Sequence, residues 1–112
     1  MISSRSINDL HPVVRKLCRQ FVQKCSDNGI SMIITCAYRD HAAQLALFNQ
    51  GRTTPGKIVT KARPGESFHN FKVAFDFVPS LNGKPVWNDV ELFKRCGEIA
   101  ESVGMGRSME NF

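Results

Sequence analysis

The sequence predicts an α+β domain, a small antiparallel sheet with helices packed on it. Three observations lead there. Apolar residues recur at spacings of three and four in three segments, as they do on amphipathic helices. Two short runs, residues 31–38 and 73–78, are rich in β-branched and aromatic residues and read as strands. Asn82-Gly83 follows the second run, and that dipeptide favours the tight turn of an antiparallel hairpin. A length of 112 residues suits one domain, 1–112, whose core needs no disulfides.

The first helix is expected over residues 9–28. Leu10, Val14, Leu17, Cys18, Phe21, Val22 and Cys25 form its apolar stripe. Pro12 suits its first turn, where the missing N–H costs nothing, and Asn28-Gly29 ends it. A strand follows over residues 31–38, with Arg39 at its end. The second helix is expected over residues 40–50, capped by Asp40, with Ala43, Leu47 and Phe48 facing inward and Gly51 as its stop. Residues 52–66 read as a loop carrying Pro55-Gly56, Pro64-Gly65 and the bases Arg52, Lys57, Lys61 and Arg63. A long basic loop in a compact domain points to function. After the strand at 73–78 and the hairpin at 79–85, Val86-Trp87 would begin the returning strand. The third helix would run from 88 or 89 to 103, with Val90, Phe93, Cys96, Ile99 and Val103 inward and Gly104 after it.

Hydrophobic residues at 42% and charged residues at 22% are ordinary for a folded domain, which argues against disorder. The net charge of +5 suits an anionic partner, nucleic acid or a cell-wall polymer, or simply a solvated surface. The bases are scattered, which weakens the nucleic-acid reading. The spacing of Phe68, Phe71, Phe75 and Phe77 reads as strand core rather than as a base-stacking set. No stretch approaches the ~20 apolar residues of a membrane span. Residues 1–10 lack the apolar core of a signal peptide, so cytoplasmic synthesis is expected, with wall access only on release, as in phage lysis. A monomer is expected. Cys18, Cys25, Cys36 and Cys96 show no C-x-x-C spacing and read as four reduced core thiols. His11 and His41 read as surface residues.

The stretch that carries chemistry ends at Asp76, set between Phe75 and Phe77. A carboxylate in an apolar strand needs a counter-charge or a metal. His69 lies seven residues upstream, and imidazole and carboxylate are both zinc ligands. The residues alone leave three readings open: a zinc pair, a His69–Asp76 hydrogen bond, or an Asp76–Arg39 ion pair. The metal reading requires His69 and Asp76 to face one another in the fold.

Ser67-x-His69-x-x-x-x-Ala74-x-Asp76 resembles the S-x-H-x-x-G-x-A-x-D signature of the M15 family of zinc D,D- and L,D-peptidases. It is most similar to the group of phage endolysins and wall enzymes that cleave L-alanyl-D-glutamate bonds in peptidoglycan. Further blocks resemble that group in order: Ile2-Ser-Ser-Arg-Ser6, Leu10-His-Pro12, Tyr38-Arg39, Gln44, Gln50-Gly-Arg-Thr-Thr-Pro-Gly-Lys-Ile-Val-Thr60, Phe75-Asp-Phe-Val-Pro79, Asn82-Gly-Lys84 and Val86-Trp87. The resemblance implies the D-Ala-D-Ala carboxypeptidase/hedgehog-like fold and a zinc peptidase acting on peptidoglycan stem peptides. It implies His69 and Asp76 as zinc ligands and Arg39 as the group that holds a substrate carboxylate or steadies an oxyanion. It implies Gln44 and Ser67 as polar residues lining the substrate pocket.

Two departures stand out. The glycine of the signature is Lys72 here. The family also continues to a D-x-x-H element that supplies the catalytic carboxylate and the third zinc ligand. No histidine follows His69, and Glu110 is the one acid after Gly104. The resemblance therefore implies a C-terminally truncated member with weak or no hydrolysis, or a remnant that binds peptidoglycan without cutting it.

Overall fold

Helix α1 (Pro12–Asp27) organises the core. It starts later than expected because residues 7–9 form a separate 3-10 turn and His11 caps the helix. The His11 Nδ1 accepts the Val13 N–H at 3.3 Å, so this exposed histidine is a cap rather than a ligand. Cys18, Phe21 and Cys25 are fully buried along one face. The computed structural model describes residues 1–105; Glu110 and its neighbours in the tail lie outside the described residues.

Strand β2 (Ser31–Cys36) pairs antiparallel with β4 (Asp76–Leu81), which pairs in turn with β5 (Lys84–Pro85). A second sheet joins β1 (Ser3–Ser4) to β3 (Tyr38–Arg39). The single strand expected over 31–38 is therefore split: after Cys36 the chain leaves one sheet and enters the other through buried Ala37. The ladder itself breaks register between Ile34 and Cys36, a bulge that brings Cys36 opposite Asp76.

The strand expected at 73–78 lies instead at 76–81. Lys72 explains the delay. It holds a left-handed φ of 65° at the end of a 3-10 helix, Phe68–Phe71, and its carbonyl accepts the His11 N–H at 2.9 Å. The chain is thus tied to the start of α1 before it can join a ladder. Phe68 and Phe71, expected inside, sit on this 3-10 turn and are largely exposed. The returning strand is 84–85 rather than 86–87, since Asn82 and Gly83 both take positive φ and form a two-residue turn that sets Leu81 opposite Lys84.

Helix α2 (His41–Asn49) is capped by Asp40, whose Oδ1 accepts the Ala43 N–H at 2.8 Å. Ala43 and Gln44 are its buried residues, while Leu47 and Phe48 are only half-buried. Gly51 ends it at φ 80°, where a Cβ would come within 2.7 Å of the Ile58 nitrogen. Residues 52–66 then form an irregular loop, with the Arg52 guanidinium 4.0 Å from the Phe48 ring centre. Helix α3 (Val90–Ser102) is capped by Asp89 and buries Cys96 and Ala100. Val90, expected inward, is exposed, because it lies off the stripe that the later residues form.

The core gathers Leu10, Cys18, Phe21, Cys25, Ile30, Ala37, Phe75, Cys96 and Ala100. Phe21 meets Phe75 at 5.9 Å and Phe77 at 5.0 Å between ring centres, and Phe77 meets Phe93 at 6.1 Å. Alternation along β4 then turns Asp76 away from this aromatic side, toward Cys36. The architecture is α+β, three helices with two small antiparallel sheets, as the sequence predicts.

Candidate functional site

Five polar side chains converge where β2, β3, β4, α2 and the 68–71 turn meet. His69 is held by the turn, Asp76 by the first position of β4, Cys36 by the last position of β2 and Arg39 by β3. Gln44 comes from the first turns of α2. The sequence expectation that His69 and Asp76 face one another holds: Nε2 lies 3.2 Å from Oδ2. His69 has no exposed side-chain surface, and Asp76 keeps 20% of its own.

The contact is close but not an aligned hydrogen bond, for neither ring nitrogen of His69 has a hydrogen-bond partner among the described residues. Buried polar atoms without partners are rare and ask for an explanation. A cation answers here: tetrahedral coordination at ~2.0–2.1 Å to nitrogen and oxygen sets two such donors roughly 3.3 Å apart, which is the His69–Asp76 separation. The residues present fit a divalent metal. Without one, burial acts to lower the His69 pKa, but contact with Asp76 and Cys36 outweighs it and pushes the imidazole up to about 9.

Arg39 is buried at 4% exposure, and its Nη1 donates to Gln44 Oε1 at 2.8 Å. Gln44 is itself fixed, its Nε2 donating to the Ala62 carbonyl at 2.8 Å. The other arm of the guanidinium, Nη2, donates to Cys36 Sγ at 3.3 Å. In an unbroken strand residues three apart point to opposite faces. Arg39 reaches Cys36 because the chain changes sheets between them. Nε of Arg39 has no partner among the described residues. The Asp76–Arg39 ion pair considered from sequence is not among the described ion pairs; Asp76 faces His69 instead.

Ser67 caps the turn that carries His69, its Oγ accepting the His69 N–H at 3.2 Å. Lys72 turns its ammonium onto the Tyr38 ring, 4.9 Å from the centroid. Its left-handed φ accounts for a glycine at this place in the signature.

Two residues were missed from sequence. Asn70 ties the turn to β3, its Nδ2 donating to the Arg39 carbonyl at 2.8 Å while its Oδ1 accepts the Gly65 N–H. The signature leaves position 70 open, so its spacing did not single out Asn70. The second is Cys36, which sequence spacing set aside with the other thiols. All four cysteines are free and buried. Burial pushes Cys18 and Cys25 up to about 12. For Cys36 burial also pushes upward, but the neighbouring His69 and Arg39 overcome it and the thiol falls below its ordinary value. Cys36, His69 and Asp76 form the one group of possible metal-ligating residues among the described residues, with donor atoms within 4.8 Å of one another.

A family model described as VanY, D-alanyl-D-alanine carboxypeptidase, matches residues 7–111. The chain is 39% identical over 82 residues to the peptidoglycan L-alanyl-D-glutamate endopeptidase CwlK of Bacillus subtilis (strain 168). That match takes in 72% of this chain and 49% of the relative, so the chain spans about half the length of the curated relative it matches. No helix among the described residues is long and apolar enough to cross a membrane.

Proposed function

The chain belongs to the VanY D-alanyl-D-alanine carboxypeptidase family, and from that premise we propose that it serves a zinc-dependent peptidase acting on peptidoglycan stem peptides, at an L-alanyl-D-glutamate-type bond. The observation that carries this reading is the buried His69 within the family signature, its Nε2 held 3.2 Å from the Asp76 carboxylate and neither ring nitrogen in an aligned hydrogen bond among the described residues. His69 and Asp76 hold the metal. Bound there, zinc supplies Lewis acidity toward a peptide carbonyl and an attacking water.

The remaining work falls to the protein's own groups. Arg39 supplies a fixed positive charge for a substrate carboxylate or for the oxyanion of the cleaved amide. Gln44 holds that charge in place through Nη1, and the Ala62 carbonyl holds Gln44. Ser67 and Asn70 fix the turn that presents His69. The basic loop, with Arg52 and Arg63 flanking Phe48, offers cationic surface to an anionic wall.

The test is incubation of the chain with purified peptidoglycan and added zinc, scoring newly released amino groups. Cleavage that disappears in His69→Ala supports the peptidase reading. Retention on peptidoglycan with no new amino groups assigns this chain a binding role, and absence of both results overturns the proposal.

A further inference from the structure

Cys36 is placed differently from the other three cysteines. Cys18, Cys25 and Cys96 lie in the apolar cluster under α1 and α3, whereas Cys36 ends β2 directly across the ladder from Asp76. Paired positions on antiparallel strands project to the same side. The bulge beside Ile34 sets this pairing, so thiol and carboxylate share a face by construction of the sheet.

The geometry points to Cys36 as a third protein ligand of the metal held by His69 and Asp76, giving a cysteine–histidine–aspartate cation site. This rests on the reading of His69 and Asp76 as metal ligands and extends it to a residue that the family signature does not include. Four observations support it. The donor atoms of Cys36, His69 and Asp76 lie within 4.8 Å of one another. Tetrahedral bond lengths of ~2.0–2.1 Å to N or O and ~2.3 Å to S put sulfur roughly 3.6 Å from its neighbours. The sulfur thus has at most about an ångström to close.

The second observation is His69, fully buried, with neither ring nitrogen in an aligned hydrogen bond among the described residues. The third is charge: a thiolate and a carboxylate together balance a divalent cation, with the imidazole as neutral donor. The fourth is Arg39, whose Nη2 donates to Sγ at 3.3 Å. A guanidinium has no acceptor atom, so the sulfur is the acceptor, and the contact favours its anionic form. Outer partners of this kind orient metal ligands. The soft sulfur donor selects zinc or cobalt over magnesium or calcium.

Cobalt reports on the site without any need for catalysis. The metal-free 112-residue chain is titrated with Co2+, and the sulfur-to-cobalt charge-transfer absorption in the near ultraviolet is read along with metal per chain. The expected result is one cobalt per chain with the charge-transfer band present. In Cys36→Ser the band disappears and affinity falls roughly 100-fold or more, since loss of an outer partner alone costs ~10–100-fold. One cobalt bound in a His69-dependent way, with no band and with unchanged affinity in Cys36→Ser, overturns the Cys36 assignment and leaves the two-ligand reading standing. No cobalt binding by the unaltered chain, or equal binding by His69→Ala, overturns both. Cobalt bound by the unaltered chain with no charge-transfer band overturns the Cys36 assignment even if a variant fails to fold.

Discussion

Replacing Ser67 by alanine separates a positioning role from a substrate-binding one. The Ser67 side chain is almost wholly buried, and its oxygen accepts the His69 N–H at 3.2 Å. Loss of a helix cap costs ~1 kcal/mol. The amide left behind belongs to a buried residue, and an unpartnered buried donor adds roughly 1 kcal/mol more. Ser67→Ala is therefore expected to destabilise the metal-free protein by about 1–2 kcal/mol. At ~4–8 °C per kcal/mol for a domain near this size, the melting temperature falls by roughly 4–15 °C. Zinc affinity falls on the order of 10-fold, because the backbone behind a ligand loosens. Ser67→Thr keeps the hydroxyl and restores both quantities. The assays are thermal melting by circular dichroism and competition for zinc against a chromophoric chelator. Unchanged melting and unchanged zinc affinity in Ser67→Ala, with only substrate affinity lost, would refute the reasoning and return Ser67 to the substrate.

Four further outcomes are expected. Phe21→Ala removes a fully buried ring that meets two other phenylalanines, and urea melts should show a loss of ~3–5 kcal/mol. Lys72→Ala keeps the left-handed strain and loses the Tyr38 contact, while Lys72→Gly loses the contact and the strain. The glycine variant should be the more stable of the two by about 0.5–1 kcal/mol in the same melts, and the reverse order would count against a strained Lys72. The Ala43 amide, and less strongly the Ile2 amide and the terminal ammonium, hold the Asp40 carboxyl below its ordinary value. That contribution is complete above the unfolded aspartate pKa and disappears as pH falls through the lower folded one. Protection of the Ile2 and Ala43 amides, taken relative to their intrinsic exchange rates at each pH, should therefore fall in acid, and in Asp40→Ala it should already be lost at neutral pH. Zinc at 100 times its dissociation constant should stabilise the chain by ~2.7 kcal/mol, and His69→Ala should melt at one temperature with or without zinc.

The helices were legible because burial leaves a periodic trace. The stripe of Cys18, Phe21 and Cys25, and the caps at Asp40 and Asp89, follow from local rules alone. The His69–Asp76 pair was legible too, since a carboxylate among phenylalanines needs a partner. The 68–71 turn was not, although Ser67 is an ordinary capping residue. The spacing of Phe68 and Phe71 read as core, while both rings are turned outward on a single 3-10 turn. The start of β4 was misplaced because it depends on the Lys72–His11 bond, which joins segments far apart in sequence. Cys36 was hidden for the same reason. Its partners are a turn and a strand that no spacing rule connects to it, and only the pairing of β2 with β4 brings them together. The burial of Arg39 and its engagement with Gln44 likewise required the third dimension.

The ladder between Cys36 and Asp76 has a bearing on when the proposed metal site takes shape. Donors drawn from opposite strands meet only after a long stretch of chain has closed, and such distant pairings form late. On the proposed reading the cation would arrive at a chain already organised by its aromatic centre, unlike a zinc finger, which is unfolded until metal arrives. Refolding from denaturant in the presence of a chelator should succeed, with metal added afterward entering a ready-made cradle.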